Sequence, residues 1–249
     1  MRKLIPASIS AFVLSISHLI AIASLILVYG PSARADTVAY QVPAGVVGNQ
    51  IDGSTISFGM DFDVNSAITV DQLGVFDSSQ DGLLAPIAAA IYDRTSQSLV
   101  SSVVTFAAGS GVGSGALVDG SRFLAIAPIV LPTGFQGSII TFGYGNGISE
   151  ELDGNSFAAP TGTPTFPWAV NSGGGLISFV GQGRFSGGGV AIQYPINIDG
   201  GPANRYAAGT FAFSAVPEPS TVTLLGTALC LMGGRRLLRG ARSTHGQRR

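Results

Sequence analysis

The sequence predicts an all-β protein, an antiparallel β-sandwich of jelly-roll type, flanked by an N-terminal signal helix and a C-terminal transmembrane helix. Three observations point there. Ile56, Phe58, Met60, Phe62 and Val64 alternate with Ser57, Gly59, Asp61 and Asp63, a period of two that marks a strand with one buried and one wet face. Asp-Gly occurs five times, at 52–53, 81–82, 119–120, 153–154 and 199–200, and favours the positive-φ turns that close hairpins and strand corners. Between the two hydrophobic ends, no stretch sustains the i, i+3, i+4 spacing of an amphipathic helix.

The remaining strands follow from runs rich in Val, Ile and Phe separated by turn residues. They are expected at Ile68–Phe76, Ile87–Tyr92, Leu99–Phe106, Phe123–Leu131, Ser138–Tyr144, Leu176–Val180 and Phe211–Ser214. Asp93 to Ser98 reads as a hairpin tip. Twenty-nine glycines among residues 36–215 sit between apolar runs, which assigns them to turns and not to disorder. Glu150 to Gly175, with three prolines and Gly173-Gly174-Gly175, reads as a long surface loop.

Both ends of the chain carry membrane signals. Arg2-Lys3 precedes a stretch from Leu4 to Tyr29 that contains no Asp, Glu, Lys or Arg. Pro31 follows, then Ala33-Arg34-Ala35, the small-x-small pattern cut before Asp36 by signal peptidase. A run of that length also suffices to span a bilayer, so an uncleaved anchor is the other reading. Near the C-terminus, Ser220 to Gly234 makes about 22 Å of helix, short against a hydrocarbon core of about 30 Å. Arg235, Arg236, Arg239, Arg242, Arg248 and Arg249 lie beyond it and predict a cytoplasmic tail with the preceding domain outside. The expected organisation is a signal peptide at 1–35, an extracytoplasmic sandwich at 36–215, a sorting segment at 216–240 and a basic tail at 241–249.

Charge and composition narrow the chemistry of the middle region. Residues 36–215 hold four arginines (Arg94, Arg122, Arg184, Arg205) against 13 acids, a net charge of −9 that the whole-chain value of −1 conceals. Such a surface repels phosphate backbones, which excludes nucleic acid as a natural partner. The region contains no His, Cys or Lys. Ser-His-Asp and Cys-His nucleophiles, Schiff-base lysines, thiolate or imidazole zinc sites and disulfides are therefore all excluded. Only carboxylate chemistry is left.

Three candidate sites follow. Asp77, Ser79 and Asp81 occupy positions one, three and five of a loop with Gly82 at six, the first half of a calcium loop. Ala88 stands where the closing Glu belongs, so calcium would need backbone carbonyls to complete its shell; an acidic Asx-type turn is the plainer account. Trp168, with Phe166, Tyr144 and Tyr206, is read as an aromatic platform for sugar rings, against the ordinary role of aromatics in a β core. Asp61 and Asp63 share a strand face about 6.5–7 Å apart, a separation compatible with paired-carboxylate glycoside hydrolysis. Their plainer reading is the wet side of an amphipathic strand, and no catalytic residue is assigned.

Val216-Pro217-Glu218-Pro219, the apolar segment and the Arg235-Arg236 cluster together resemble the PEP-CTERM sorting tag of exosortase substrates. The region before it resembles an uncharacterised β-sandwich family that recurs in front of that tag. That likeness rests on Phe58-Gly59-Met60-Asp61-Phe62-Asp63-Val64, Gly74-Val75-Phe76-Asp77, Asp81-Gly82-Leu83, Ile91-Tyr92-Asp93 and Arg184-Phe185-Ser186-Gly187-Gly188. The resemblance implies a non-enzymatic protein of a Gram-negative bacterium, handled in turn by the general secretion machinery, signal peptidase and exosortase. It would be held by one membrane span before processing, then reside at the cell surface or outside. A structural or glycan-binding role in exopolysaccharide matrix is the implied function. The rival readings are a carboxylate-dependent polysaccharide hydrolase and a permanently anchored envelope protein.

Overall fold

The computed structural model describes residues 36–48, 56–144, 169–201, 203–204 and 206–217. All of them but Pro217 belong to a compact unit spanning Ala35–Val216. The unit is all-β and antiparallel. Its strands are β1 (Thr37–Val38), β2 (Tyr40–Gln41), β3 (Ser57–Val64), β4 (Ile68–Phe76), β5 (Ile87–Asp93), β6 (Val104–Phe106), β7 (Ala116–Val118), β8 (Ser121–Leu131), β9 (Gln136–Phe142), β10 (Ala169–Val170), β11 (Ile177–Ser186), β12 (Asn197–Asp199) and β13 (Gly209–Ala215). The helix among the described residues amounts to two single 3₁₀ turns, Ser78–Gln80 and Val112–Ser114. None of these residues forms a helix long and apolar enough to cross a membrane.

Five strands pair in the order β1-β13-β4-β8-β7 and six in the order β12-β11-β3-β9-β5-β6, while β2 and β10 form a small ribbon. Each step from β3 to β4 to β5 changes sheet, and so does the step from β8 to β9. Side chains from both sheets fill one core. Phe58, Met60 and Phe62 of β3 join Ile68, Val70, Leu73 and Val75 of β4 and Phe211 and Phe213 of β13. The rings of Phe62 and Phe211 lie 4.7 Å apart, within the range of favourable aromatic pairs.

β4 shows how the sequence bends a strand. Its inward residues are Ile68 and Val70, then Leu73 and Val75, so the parity switches across Asp71-Gln72. The ladders to both neighbours shift there: Val70 pairs with Phe213 and Ile129, whereas Gln72 pairs with Ala212 and Ala125. The extra residues on β8 include Pro128, which has no N–H to give a ladder and is tolerated at such a bulge.

Most predicted strands are present with small changes of boundary. Leu99–Phe106 is the main exception, because only Val104–Phe106 is strand and Leu99 makes an isolated bridge to Tyr92. The Asp93–Ser98 tip is a turn in which the Asp93 carboxylate accepts from the Thr95 and Ser96 amides. Asp119-Gly120 joins β7 to β8 with Asp119 at φ 51°, as its dipeptide predicts. The expected loop at 150–175 is corrected at its end, where Ala169–Val170 is strand β10, paired with Tyr40–Gln41 of β2.

Candidate functional site

The outer face of β3 is expected to be wet, yet Ser57 and Asp61 on it are buried. The segment from Gly187 to Ile196 runs across it. Ile192 and Tyr194 of this strap pack with Ala90 and Tyr92 of β5 and Ile140 of β9, forming a second apolar cluster outside the main core. Close packing is possible here because β3 carries glycine at 59. A Cβ at that position would sit 2.5 Å from Ile140 Cδ1 and 3.4 Å from Pro195.

Beneath the strap lies a network of two carboxylates and two guanidiniums. Asp61, directly opposite Ser138 in the ladder, is fully buried. Its two oxygens accept from Arg184 Nε at 2.9 and 2.7 Å. Arg94, at the tip after β5, donates from Nη2 to Asp63 Oδ1 at 2.5 Å and brings Nη1 to 3.7 Å from Asp61 Oδ2. The Arg184 guanidinium also stands 5.3 Å from the centre of the Tyr194 ring, a cation–π contact that ties the strap to the network. Burial raises the Tyr194 hydroxyl above its usual range, with Asp61 and Asp93 adding to the rise and Arg184 and Arg94 opposing it. Two positive and two negative groups balance, as a site withdrawn from water requires.

This placement corrects the reading of Asp61 and Asp63 as a solvated pair. Asp61 is sealed and committed to Arg184, and Asp63, with a side chain 37% exposed, is engaged by Arg94. Sequence reasoning missed Arg94 and Arg184 as partners. The signal was available: a region with four cations and no lysine has few ways to compensate a buried aspartate.

A second ion pair closes one end of the core. Asp77, fully buried, accepts from Arg122 Nε at 2.5 Å through Oδ2 and from the Gly82 amide at 3.3 Å through Oδ1. Arg122 Nη1 reaches the Gly115 carbonyl at 3.5 Å. The calcium-loop residues therefore divide. Asp77 points inward to an arginine, while Ser79 and Asp81 are exposed, and Ser79 and Gln80 both sit at φ 63°. A cation using Asp77 would have to displace Arg122. Among the described residues no group of three or more His, Cys, Asp or Glu side chains is placed to hold a metal ion.

The sugar platform is corrected for two of its four members. Tyr144 and Tyr206 are 2% and 3% exposed and belong to the core, each beside Phe58. The Tyr144 hydroxyl donates to the carbonyl of Ala208 at 2.6 Å, and that of Tyr206 to Asp199. Trp168 and Phe166 lie outside the described residues.

At the C-terminal end of the unit, β13 pairs with β4 through Ala215 opposite Ile68, and the Val216 amide donates to the Ala67 carbonyl at 3.0 Å. Pro217 is exposed. Glu218, Pro219, Arg235 and Arg236 lie outside the described residues, as do Ala33 and Ala35, whereas Asp36 is described and exposed. The chain matches no family model, no curated protein and no solved structure.

Proposed function

We propose that this is a non-enzymatic exported protein whose β domain is delivered across the inner membrane and released or displayed through its C-terminal sorting segment. Exosortase acts at the Pro-Glu-Pro box, and the product serves a structural or glycan-binding role in exopolysaccharide matrix. The observation that carries the reading is the join between domain and tag. Among the described residues the final ladder pair is Ala215 with Ile68 and the final backbone bond is made by Val216, and in the sequence the Pro-Glu-Pro box begins at the next residue.

The jelly-roll-like sandwich belongs to the same proposal, supported by two antiparallel sheets that share one core. The non-catalytic reading is supported by the engagement of Asp61 and Asp63 with arginines, since neither is left facing an open site as an acid–base pair requires. Intact-mass analysis of the exported protein tests the whole. The expected product begins at Asp36 and ends within the Pro-Glu-Pro box. Recovery of the full chain, both ends attached, from the cytosol would overturn the proposal.

A further inference from the structure

The 24 residues from Thr95 to Val118 contain no Asp, Glu, Lys, Arg or His, in a domain of net charge −9. Most of them are exposed. They supply β6 and β7, which are the outermost strands of the six-stranded and five-stranded sheets. The two edges lie on the same side of the unit, because β6 approaches β8, the neighbour of β7, across the core. Leu99, Val103, Val112, Leu117 and Val118 are 48, 42, 96, 41 and 48% exposed along this side. All three residues of β7 are exposed, and among the described residues β7 pairs only with β8.

Sheet edges are normally protected by lysine, proline, an inward charge or a covering loop, since an open strand is a template for another. β7 has none of the first three. The edges β1, β12 and β7 each have an acid beside or within them, Asp36 before β1, Asp199 at the end of β12 and Asp119 after β7, so β7 is set apart by the uncharged run that leads into it and not by its flank. The occupant follows from charge. Two acidic domains repel one another over most of their surfaces, and this uncharged strip, bounded by Asp93-Arg94 and Asp119, is where that repulsion is weakest. A cationic partner would find no acid here to bind. A surface that is uncharged, apolar and edged by an open strand is complementary to itself.

We infer that the β6–β7 side is a self-association surface, on which a second copy of this chain adds its own β7 antiparallel to the first across a two-fold axis. The five-stranded sheets then continue from one protomer into the next, with Leu117 and Val118 contacting their counterparts. Self-association makes no use of the sorting tail.

The test uses the full chain in mild detergent, with Cys230→Ser removing the native thiol. Ala116→Cys, Leu117→Cys and Val118→Cys are introduced singly and oxidised, with Val130→Cys, exposed on β8, as the collision control. At least one β7 cysteine is expected to give a disulfide dimer well above that control. Sedimentation then compares Leu117→Lys with the parent chain, where two facing ammonium groups should weaken the dimer by more than about tenfold. Leu117 is exposed, so at dilutions where the parent is monomeric the melting temperature should match the parent's. A monomeric parent chain overturns the inference. So does a dimer that persists with Leu117→Lys, or one whose β7 cysteines cross-link no better than Val130→Cys.

Discussion

Asp61 and Asp77 are both fully buried, yet they are compensated in different surroundings. Asp77 faces one arginine at the end of the core, and Arg122 is itself only 5% exposed. Asp61 lies on an outer sheet face under two arginines that are 12% and 14% exposed, with Asp63 completing a network at the rim. The difference lies in what each site can do when a partner is lost. Arg94 and Arg184 can turn toward water, whereas Asp77 and Arg122 cannot. A buried pair is weak evidence of net stabilisation, but breaking one strands a charge.

The most destructive change should therefore be Arg122→Met. It leaves Asp77 uncompensated and is expected to cost about 3–5 kcal/mol, lowering Tm by roughly 6–20 °C in a domain of this size. Adding Asp77→Leu to that variant should recover much of the loss, and calorimetry on the three chains checks both values. Asp61→Ala should cost less, about 2–3 kcal/mol, because its arginines regain solvent. If denaturant melts rank Asp61→Ala above Arg122→Met, the contrast between open and closed surroundings is wrong.

Tyr194→Ala probes the cover itself. Losing a buried ring from a small satellite cluster, with its cation–π contact, should cost about 2 kcal/mol. It should also speed proteolytic cutting within 187–196 more than elsewhere, as mapped by peptide mass. Asp63→Asn at the rim should change stability by less than about 1 kcal/mol, with the effect shrinking further in high salt.

The smallest effect expected is at the β4 bulge. Burial raises the Asp71 carboxyl above its usual value, the charge of Asp36 raises it further, and a hydrogen bond to its own backbone opposes the rise. A raised carboxyl binds its proton more tightly in the folded state. Its favourable contribution is thus present below the unfolded pKa and is lost as pH rises through the folded one. Asp71→Asn should then be slightly more stable than the parent at pH 7, with the advantage vanishing near pH 3. Melting curves across that range give the sign directly.

Much of the strand content was legible because apolar alternation and turn dipeptides are local signals. β4 is predicted at its observed bounds, and even its bulge is written in the parity change between Val70 and Leu73. β1, β2, β7, β10 and β12 were not predicted, since two or three residues carry no period and owe their conformation to a neighbouring strand. The candidate sites fared less well for a related reason. Asp77 and Asp81 look equivalent along the chain, and so do Asp61 and Asp63. One of each pair is buried and the other meets solvent, because burial depends on what arrives from a distant part of the sequence.

The sequence by itself determined the all-β class, the acidic balance of the central region and the chemistry that region lacks, because these follow from residue types and short-range spacing. Only the tertiary structure decided that the outer face of β3 lies under a strap 130 residues away. It also decided that three of the four central arginines answer buried or half-buried aspartates, and that two uncharged edges share one side. Those outcomes depend on which strands become neighbours, and pairing of strands across long loops is set by the shared core and not by local preference.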